Sequence, residues 1–226
     1  MSAMPVVTPA ARTALALVAV LTLVAALVAM PELIGRRSAE VGIAGGSSDP
    51  AWQRLDADEP APGFSLTDQH GHRVSLGDLR GRVAIVTFLF THCTDVCPVL
   101  PEILARVDGY LDAVERERLV YVGVSIDPAR DSPQRLREFV ETHRLDASRW
   151  ILLTGSAREL AAVADDYGVV ARPDSRLGFV HNTVFVLIDP DGRLRTEFHG
   201  LATPSPEIAR VVRETLSPSR RSSRPW

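Results

Sequence analysis

No lysine occurs in the 226 residues, so all 25 basic side chains are arginines. This excludes Schiff-base lysine chemistry and the lysine of a phosphate-binding loop. Positive charge is not in excess either. Against 28 acidic residues the formal charge is −3, and the basic footprint with which a protein neutralises a phosphate backbone is missing, so no nucleic acid is expected as a partner. Cysteine is almost absent: Cys93 and Cys97 are the whole complement, too few for a disulfide scaffold or for a four-thiolate zinc site. What remains, 46% hydrophobic and 23% charged residues, is the balance of an ordinary globular protein.

Long apolar runs are confined to one place. Residues Thr13 to Met30 read TALALVAVLTLVAALVAM without a charge, and as a helix this stretch spans about 27 Å, close to the thickness of a hydrocarbon core. The run is longer than the apolar region of an export signal and ends in Met30-Pro31-Glu32 rather than a small-residue cleavage motif, so residues 13–30 are expected to form an uncleaved transmembrane helix after a short segment at 1–12. Arg12 lies on one side and Arg36 and Arg37 on the other, which leaves orientation undecided by charge. Residues 31–62, rich in Gly, Ser, Pro and Asp, have the composition of a flexible linker. Residues 217–226, SPSRRSSRPW, lack core formers and are expected to be a disordered tail. The folded domain is expected over 63–216, about 155 residues, enough for one well-buried core.

Within that domain the segments alternate in type. Phe64 to Leu66 and Arg73 to Leu76 flank His70-Gly71 as a short hairpin. Val83 to Phe90 (VAIVTFLF) and Leu119 to Ile126 (LVYVGVSI) are continuous apolar runs, the mark of strands buried on both faces. Apolar spacing predicts a helix over Pro98 to Glu117, another from Ser132 to His143 with Pro133 at its first position, and a third at Ser156 to Tyr167. Strands are expected at Trp150 to Leu153, Thr183 to Ile188 and Leu194 to His199, with a turn at Asp189-Pro190-Asp191-Gly192, and a closing helix at Ser205 to Leu216. The order is that of an α/β domain, a mainly parallel sheet covered on both faces with an antiparallel hairpin at its end.

The chemistry sits after the first central strand. In Phe90-Thr-His-Cys93-Thr-Asp-Val-Cys97-Pro98 two thiols are separated by three residues, between a buried strand and a helix start, at the sheet edge where open α/β folds place their ligands. Pro98 suits the first helical position, which puts Cys97 at a helix N-terminus, where free N–H groups and the helix dipole favour a thiolate. A thiolate is both the nucleophile of disulfide exchange and a soft metal ligand, so the pair can close a disulfide or converge on one ion.

These residues resemble the Sco/SenC family, membrane-tethered copper-binding proteins with a thioredoxin-like fold that take part in assembling the CuA centre of cytochrome c oxidase. The resemblance rests on Phe90 to Pro98, supported by FSLTDQHG from Phe64, SIDPARDSP from Ser125 to Pro133, and Val180-His181-Asn182-Thr183 ahead of Asp189-Pro190-Asp191-Gly192. It implies a thioredoxin-like central mixed sheet flanked by helices, with Cys93, Cys97 and His181 as copper ligands. Many members carry an aspartate where this chain has Val180. The donor chemistry agrees: thiolates select Cu(I), imidazole accommodates Cu(II), and a three-ligand set leaves a position open to a recipient's ligand. Zinc would fit the same donors with a fourth ligand or water.

Among the other candidates, His92 adjoins Cys93 but is expected to point the opposite way, and His70, His72, His143 and His199 are expected to be structural or exposed. Asp131 precedes the capping Ser132 and reads as a helix-entry residue, whereas Asp127, at the strand end, is the candidate to orient a ligand from behind. Two functions are consistent with this site. In one, a copper metallochaperone receives copper from an upstream periplasmic donor and passes it to the oxidase subunit bearing CuA. In the other, a membrane-anchored thiol:disulfide oxidoreductase uses Cys93 and Cys97 as a redox-active pair, supplied by a thiol reductant, to reduce the CuA-site cysteines. The three-residue spacer, the following proline and the distant histidine favour metal. Either role places the domain on the periplasmic side of a bacterial cytoplasmic membrane.

Overall fold

The computed structural model describes residues 52–54, 59–93, 99–174 and 178–217. The expected membrane segment at 13–30, Cys97 and most of the expected tail lie outside these residues. Among the described residues no helix is long and apolar enough to cross a membrane.

The strands are β1 (Trp52–Arg54), β2 (Ser65–Asp68), β3 (Arg73–Ser75), β4 (Val83–Leu89), β5 (Leu119–Ser125), β6 (Trp150–Thr154), β7 (Ala171–Asp174), β8 (Gly178–His181), β9 (Val184–Ile188) and β10 (Leu194–His199). The α-helices are α1 (Val99–Asp108), α2 (Ala113–Glu117), α3 (Pro133–Thr142), α4 (Ala157–Asp166) and α5 (Ser205–Leu216). Eight strands form one sheet in the order β1-β10-β9-β4-β5-β6-β2-β3, and β7 and β8 form a separate two-stranded sheet. Only β4, β5 and β6 run parallel, with Val86 beside Val122 and Val122 beside Ile151. All other pairings are antiparallel, so the sheet is mixed, as the family resemblance implies, and not mainly parallel, as the alternation of segments alone suggests.

The reversal at β9 follows from the β7–β8 excursion, which returns the chain to the edge it left. The side chain of Asn182 accepts a hydrogen bond from the Val170 N–H at 2.8 Å and donates to the Gly168 carbonyl at 3.1 Å. The exit of α4 is thereby tied to the start of β9, beside the carboxyl end of β4, where Thr87 pairs with Phe185. A strand that leaves from the carboxyl edge has to run antiparallel to β4.

Every residue of β4, β5 and β9 is buried, as strands covered on both faces require. Tyr121 stacks on Trp150 with ring centroids 5.0 Å apart, and its hydroxyl donates to Asp108 at 2.7 Å and to the Leu104 carbonyl at 3.1 Å, fixing α1 to that face. Helix α5 packs on α1. Phe88 is three residues beyond Ile85, the partner of Tyr121, so it points to the other face, where it meets the ring of Tyr167 at the end of α4. Gly123, mid-strand in β5, has no room for a side chain: a Cβ would stand 2.6 Å from Leu152 and 2.8 Å from Leu89, so those leucines occupy the space a side chain would take.

Three further features differ from expectation. The helix expected over Pro98 to Glu117 is two: α1 stops at Asp108, and Asp112 caps a new start, accepting from the Glu115 N–H at 2.8 Å while Glu115 accepts from the Asp112 N–H, a capping box. Parts of the expected linker are attached to the sheet, since β1 pairs with β10 and Pro60 bridges to Arg193. The β7–β8 hairpin has no counterpart in the sequence pattern: it includes a proline, and none of its described strand residues is buried, so no apolar period marks it.

Candidate metal centre at the carboxyl edge

The β4 strand delivers Cys93 to the carboxyl edge through a turn in which the Cys93 N–H donates to the Phe90 carbonyl at 3.2 Å. Cys93 is half-buried and packs against the core. Cys97 lies outside the described residues, just ahead of Val99, where α1 begins.

The turn is held from below by Asp131. Its fully buried carboxylate accepts the Thr91 hydroxyl at 2.6 Å, the Thr91 N–H at 3.2 Å and the Ser125 hydroxyl at 2.6 Å. Burial raises its pKa above the ordinary value, opposed by the hydrogen bonds from Ser125 and Thr91 and assisted by the charge of Asp127. Asp131 is therefore more than a helix-entry residue: it ties the ends of β4 and β5 together beneath Cys93. Asp127 is buried, and its carboxylate pairs with the guanidinium of Arg130. The Asp127 N–H donates to Ser125 Oγ at 3.0 Å, and the Asp127 carbonyl accepts from the Asp131 N–H at 2.9 Å.

His181, at the end of β8, stands against the same edge. Its ring meets that of Phe90 edge-on with centroids 6.1 Å apart, and Phe179 meets Phe90 in the same manner at 5.8 Å. One residue thus gives its carbonyl to the Cys93 turn and its ring to His181. Nδ1 lies 3.0 Å from the Asn182 carbonyl, a contact that assigns the proton to Nδ1, because a carbonyl can only accept. Nε2 is then a bare lone pair, and it is the one buried side-chain nitrogen or oxygen without a hydrogen-bond partner among the described residues. Burial lowers the His181 pKa, against a smaller opposite effect of the Asn182 carbonyl, which keeps the ring neutral. A neutral imidazole with an oriented N–H and an unused lone pair is the form in which histidine binds metal.

The remaining histidines lie elsewhere. His92 is exposed, with Nδ1 3.1 Å from the Thr91 hydroxyl. His70 and His72 are exposed on the first hairpin, where Asp68 accepts both of their N–H groups at 2.8 Å. His143 ends α3 against the Phe139 ring, and His199 is exposed near Glu197. Among the described residues no three His, Cys, Asp or Glu side chains cluster as a metal site; Cys97 is not among them. Arg130, Asn182 and Phe90 were not singled out from the sequence, since each acts through a contact distant along the chain.

A mixed sheet flanked by helices, with a half-buried thiol and a neutral imidazole near the carboxyl ends of its central strands, has the architecture of a thioredoxin-like domain. The SCO1/SenC family model matches residues 53–217, and the chain belongs to that family. The SCO1 protein homolog of Bacillus subtilis (strain 168) is 29% identical over 154 residues, which are 66% of this chain and 79% of the relative. The copper-bound structure of ScoI from Bradyrhizobium japonicum is 27% identical, with a TM-score of 0.60 over 70% of this chain and 99% of that one. The structure of BsSco, described as having a disulfide switch and as a member of the Sco family of cytochrome c oxidase assembly proteins, is 26% identical, with a TM-score of 0.62 over 73% and 96% of the two chains.

Proposed function

We propose that this protein is a copper metallochaperone that holds copper through Cys93, Cys97 and His181 and delivers it to the CuA-bearing subunit during cytochrome c oxidase assembly. The observation that carries the reading is the buried, unpartnered Nε2 of His181, on a ring that rests against the residue anchoring the Cys93 turn. A buried acceptor with no donor is costly unless something binds it. With two thiolates the donor set suits Cu(I), and the imidazole extends it to Cu(II). The copper-bound ScoI relative supports the choice of metal. Residues 13–30 anchor the protein in a bacterial cytoplasmic membrane, and the domain faces the periplasm, where an upstream donor loads it. A reporter fused after Trp226 is expected to be active outside the cytoplasm, and activity confined to the cytoplasm overturns this topology.

The test is anaerobic copper titration of the reduced full chain in detergent, beside Cys93→Ala, Cys97→Ala and His181→Ala. One tightly bound copper per chain is expected, with a sulfur-to-copper charge-transfer band in the Cu(II) form that either cysteine variant weakens and the histidine variant shifts. Binding no tighter than that of the variants overturns the reading.

A second reading is favoured by the disulfide switch described for BsSco. One cysteine thiolate attacks a disulfide of the recipient, giving a mixed disulfide and one released thiolate. The other cysteine then displaces the second, leaving the recipient as a dithiol and Cys93–Cys97 as the disulfide. A periplasmic thiol reductant restores the pair. Reduction of a CuA-site disulfide model peptide by the full chain, lost in either cysteine variant and retained in His181→Ala, is the result expected for this activity.

A further inference from the structure

The hairpin that carries His181 rests on the core through Ala171 and Phe179. Strands β7 and β8 pair only with each other, and none of their residues is buried. At its foot the hairpin is tied by Asn182 to the end of α4. On one side Phe179 and His181 lean on Phe90. At its far end, where β8 begins, a third group meets it. A Cβ built on Gly178 would stand 2.6 Å from Nη2 of Arg130, 3.6 Å from its Cζ and 3.5 Å from the Phe90 ring. The guanidinium therefore lies directly over the α-carbon of Gly178, a position open only because Gly178 has no side chain. Its φ of +82° is also one that other residues seldom adopt.

Arg130 is itself fixed. Its Nε donates to the buried carboxylate of Asp127, and its N–H donates to the Asp127 carbonyl at 3.2 Å, within the same turn that places Asp131 beneath Cys93. The planar guanidinium can hold a carboxylate through one edge while packing through its face or its other nitrogen, which an ammonium cannot do. One turn, residues 127–131, thus reaches both sides of the site: Asp131 sets the Cys93 turn, and Arg130 reaches the histidine hairpin.

We infer that Arg130, braced by Asp127 and seated over Gly178, is a positioning residue that holds the β7–β8 hairpin against the cysteine edge and so fixes where His181 presents Nε2. Asp127, expected from the sequence to support a ligand from behind, acts through Arg130. The inference deepens the copper reading and rests on it for its consequence, but the positioning is a property of the copper-free protein.

The test compares the full chain with Arg130→Ala and Arg130→Lys in two measurements. In the first, on copper-free protein, amide hydrogen exchange is followed at Phe179 to Asn182 and, as a control, in β4 and β5. Exchange in the hairpin is expected to quicken about tenfold or more in Arg130→Ala, with the control strands unchanged. Arg130→Lys restores the charge opposite Asp127 without the flat guanidinium, and its hairpin is expected to exchange as fast as that of Arg130→Ala. In the second, Cu(II) affinity is expected to fall about 10- to 100-fold in both variants, as for loss of a group that orients a ligand, with the nitrogen contribution to the Cu(II) spectrum weakened and the sulfur band retained. Unchanged hairpin exchange in Arg130→Ala overturns the inference, even if the native protein binds copper through all three ligands. Faster hairpin exchange in a protein whose native form binds no copper through His181 overturns the function proposed above and leaves Arg130's positioning role standing.

Discussion

Every residue of β4, β5 and β9 is buried, while no residue of β7 or β8 is. The central strands are held by apolar contacts on both faces, with many neighbours sharing the load of each side chain. The hairpin instead meets the domain through Asn182 at its foot, Ala171 and Phe179 against the core, the ring of Phe90 beside it and Arg130 next to Gly178, among other contacts. The Cys93 turn and His181, the two parts of the proposed copper site among the described residues, belong one to each regime. The difference implies that stability and ligand geometry are separable wherever the core does not reach Phe90: the core can be weakened away from that ring without moving His181, and the hairpin can be moved without unfolding the core.

The sharpest contrast comes from truncating the core. Phe88→Ala removes a ring that is 1% exposed and packed against Tyr167, and is expected to cost about 3–5 kcal/mol by urea unfolding, with hairpin exchange relative to global stability unaltered. Next in size is Asp131→Ala, which leaves the Thr91 N–H, the Thr91 hydroxyl and the Ser125 hydroxyl without their acceptor. About 3 kcal/mol is expected from these donors together, and here the Cys93 turn loosens as well, read as faster alkylation of Cys93. Asn182→Ala sets the lower bound on what the hairpin contributes: two hydrogen bonds from an exposed residue are lost, about 1 kcal/mol, with exchange increased at β7–β8 and not at β5.

The smallest effect is one of pH. Because burial raises the Asp131 carboxyl above its ordinary 3.8, the folded protein binds this proton more tightly than the unfolded chain does. The resulting stabilisation is complete below the unfolded value and is lost as pH rises through the folded one. Asp131→Asn lacks this dependence. Urea unfolding from pH 4 to 7 should therefore show the native protein losing stability relative to the variant as pH rises, whereas parallel curves would contradict the assignment.

The same division decides how much could be read from the sequence. VAIVTFLF and LVYVGVSI announce β4 and β5 because strands buried on both faces have no polar positions to disguise them. The capped helices α3 and α4 are equally plain, with Ser132 and Ser156 accepting from the third residue beyond. Asp112 and Glu115 carry the same signal for α2, but the apolar spacing through Leu111 concealed the break before it. The direction of β9 follows from the excursion through β7 and β8, which returns the chain to the carboxyl edge and, apart from the Asn182 contacts with Gly168 and Val170, leaves no periodic trace. At the site, Cys93, Cys97 and His181 stand out by residue type and spacing. Arg130 and Gly178 do not, because an arginine in a turn and a glycine before a strand acquire meaning only when the fold brings them together.

The central claim is that the cysteine thiolates and Nε2 of His181 meet on one copper ion. X-ray absorption at the copper edge, on the full chain loaded with one equivalent of copper, counts those donors directly. Two sulfurs and an imidazole nitrogen are predicted for the native protein, two sulfurs alone for His181→Ala, and one fewer sulfur for Cys93→Ala. A copper environment without sulfur, or one that His181→Ala leaves unchanged, would contradict the account.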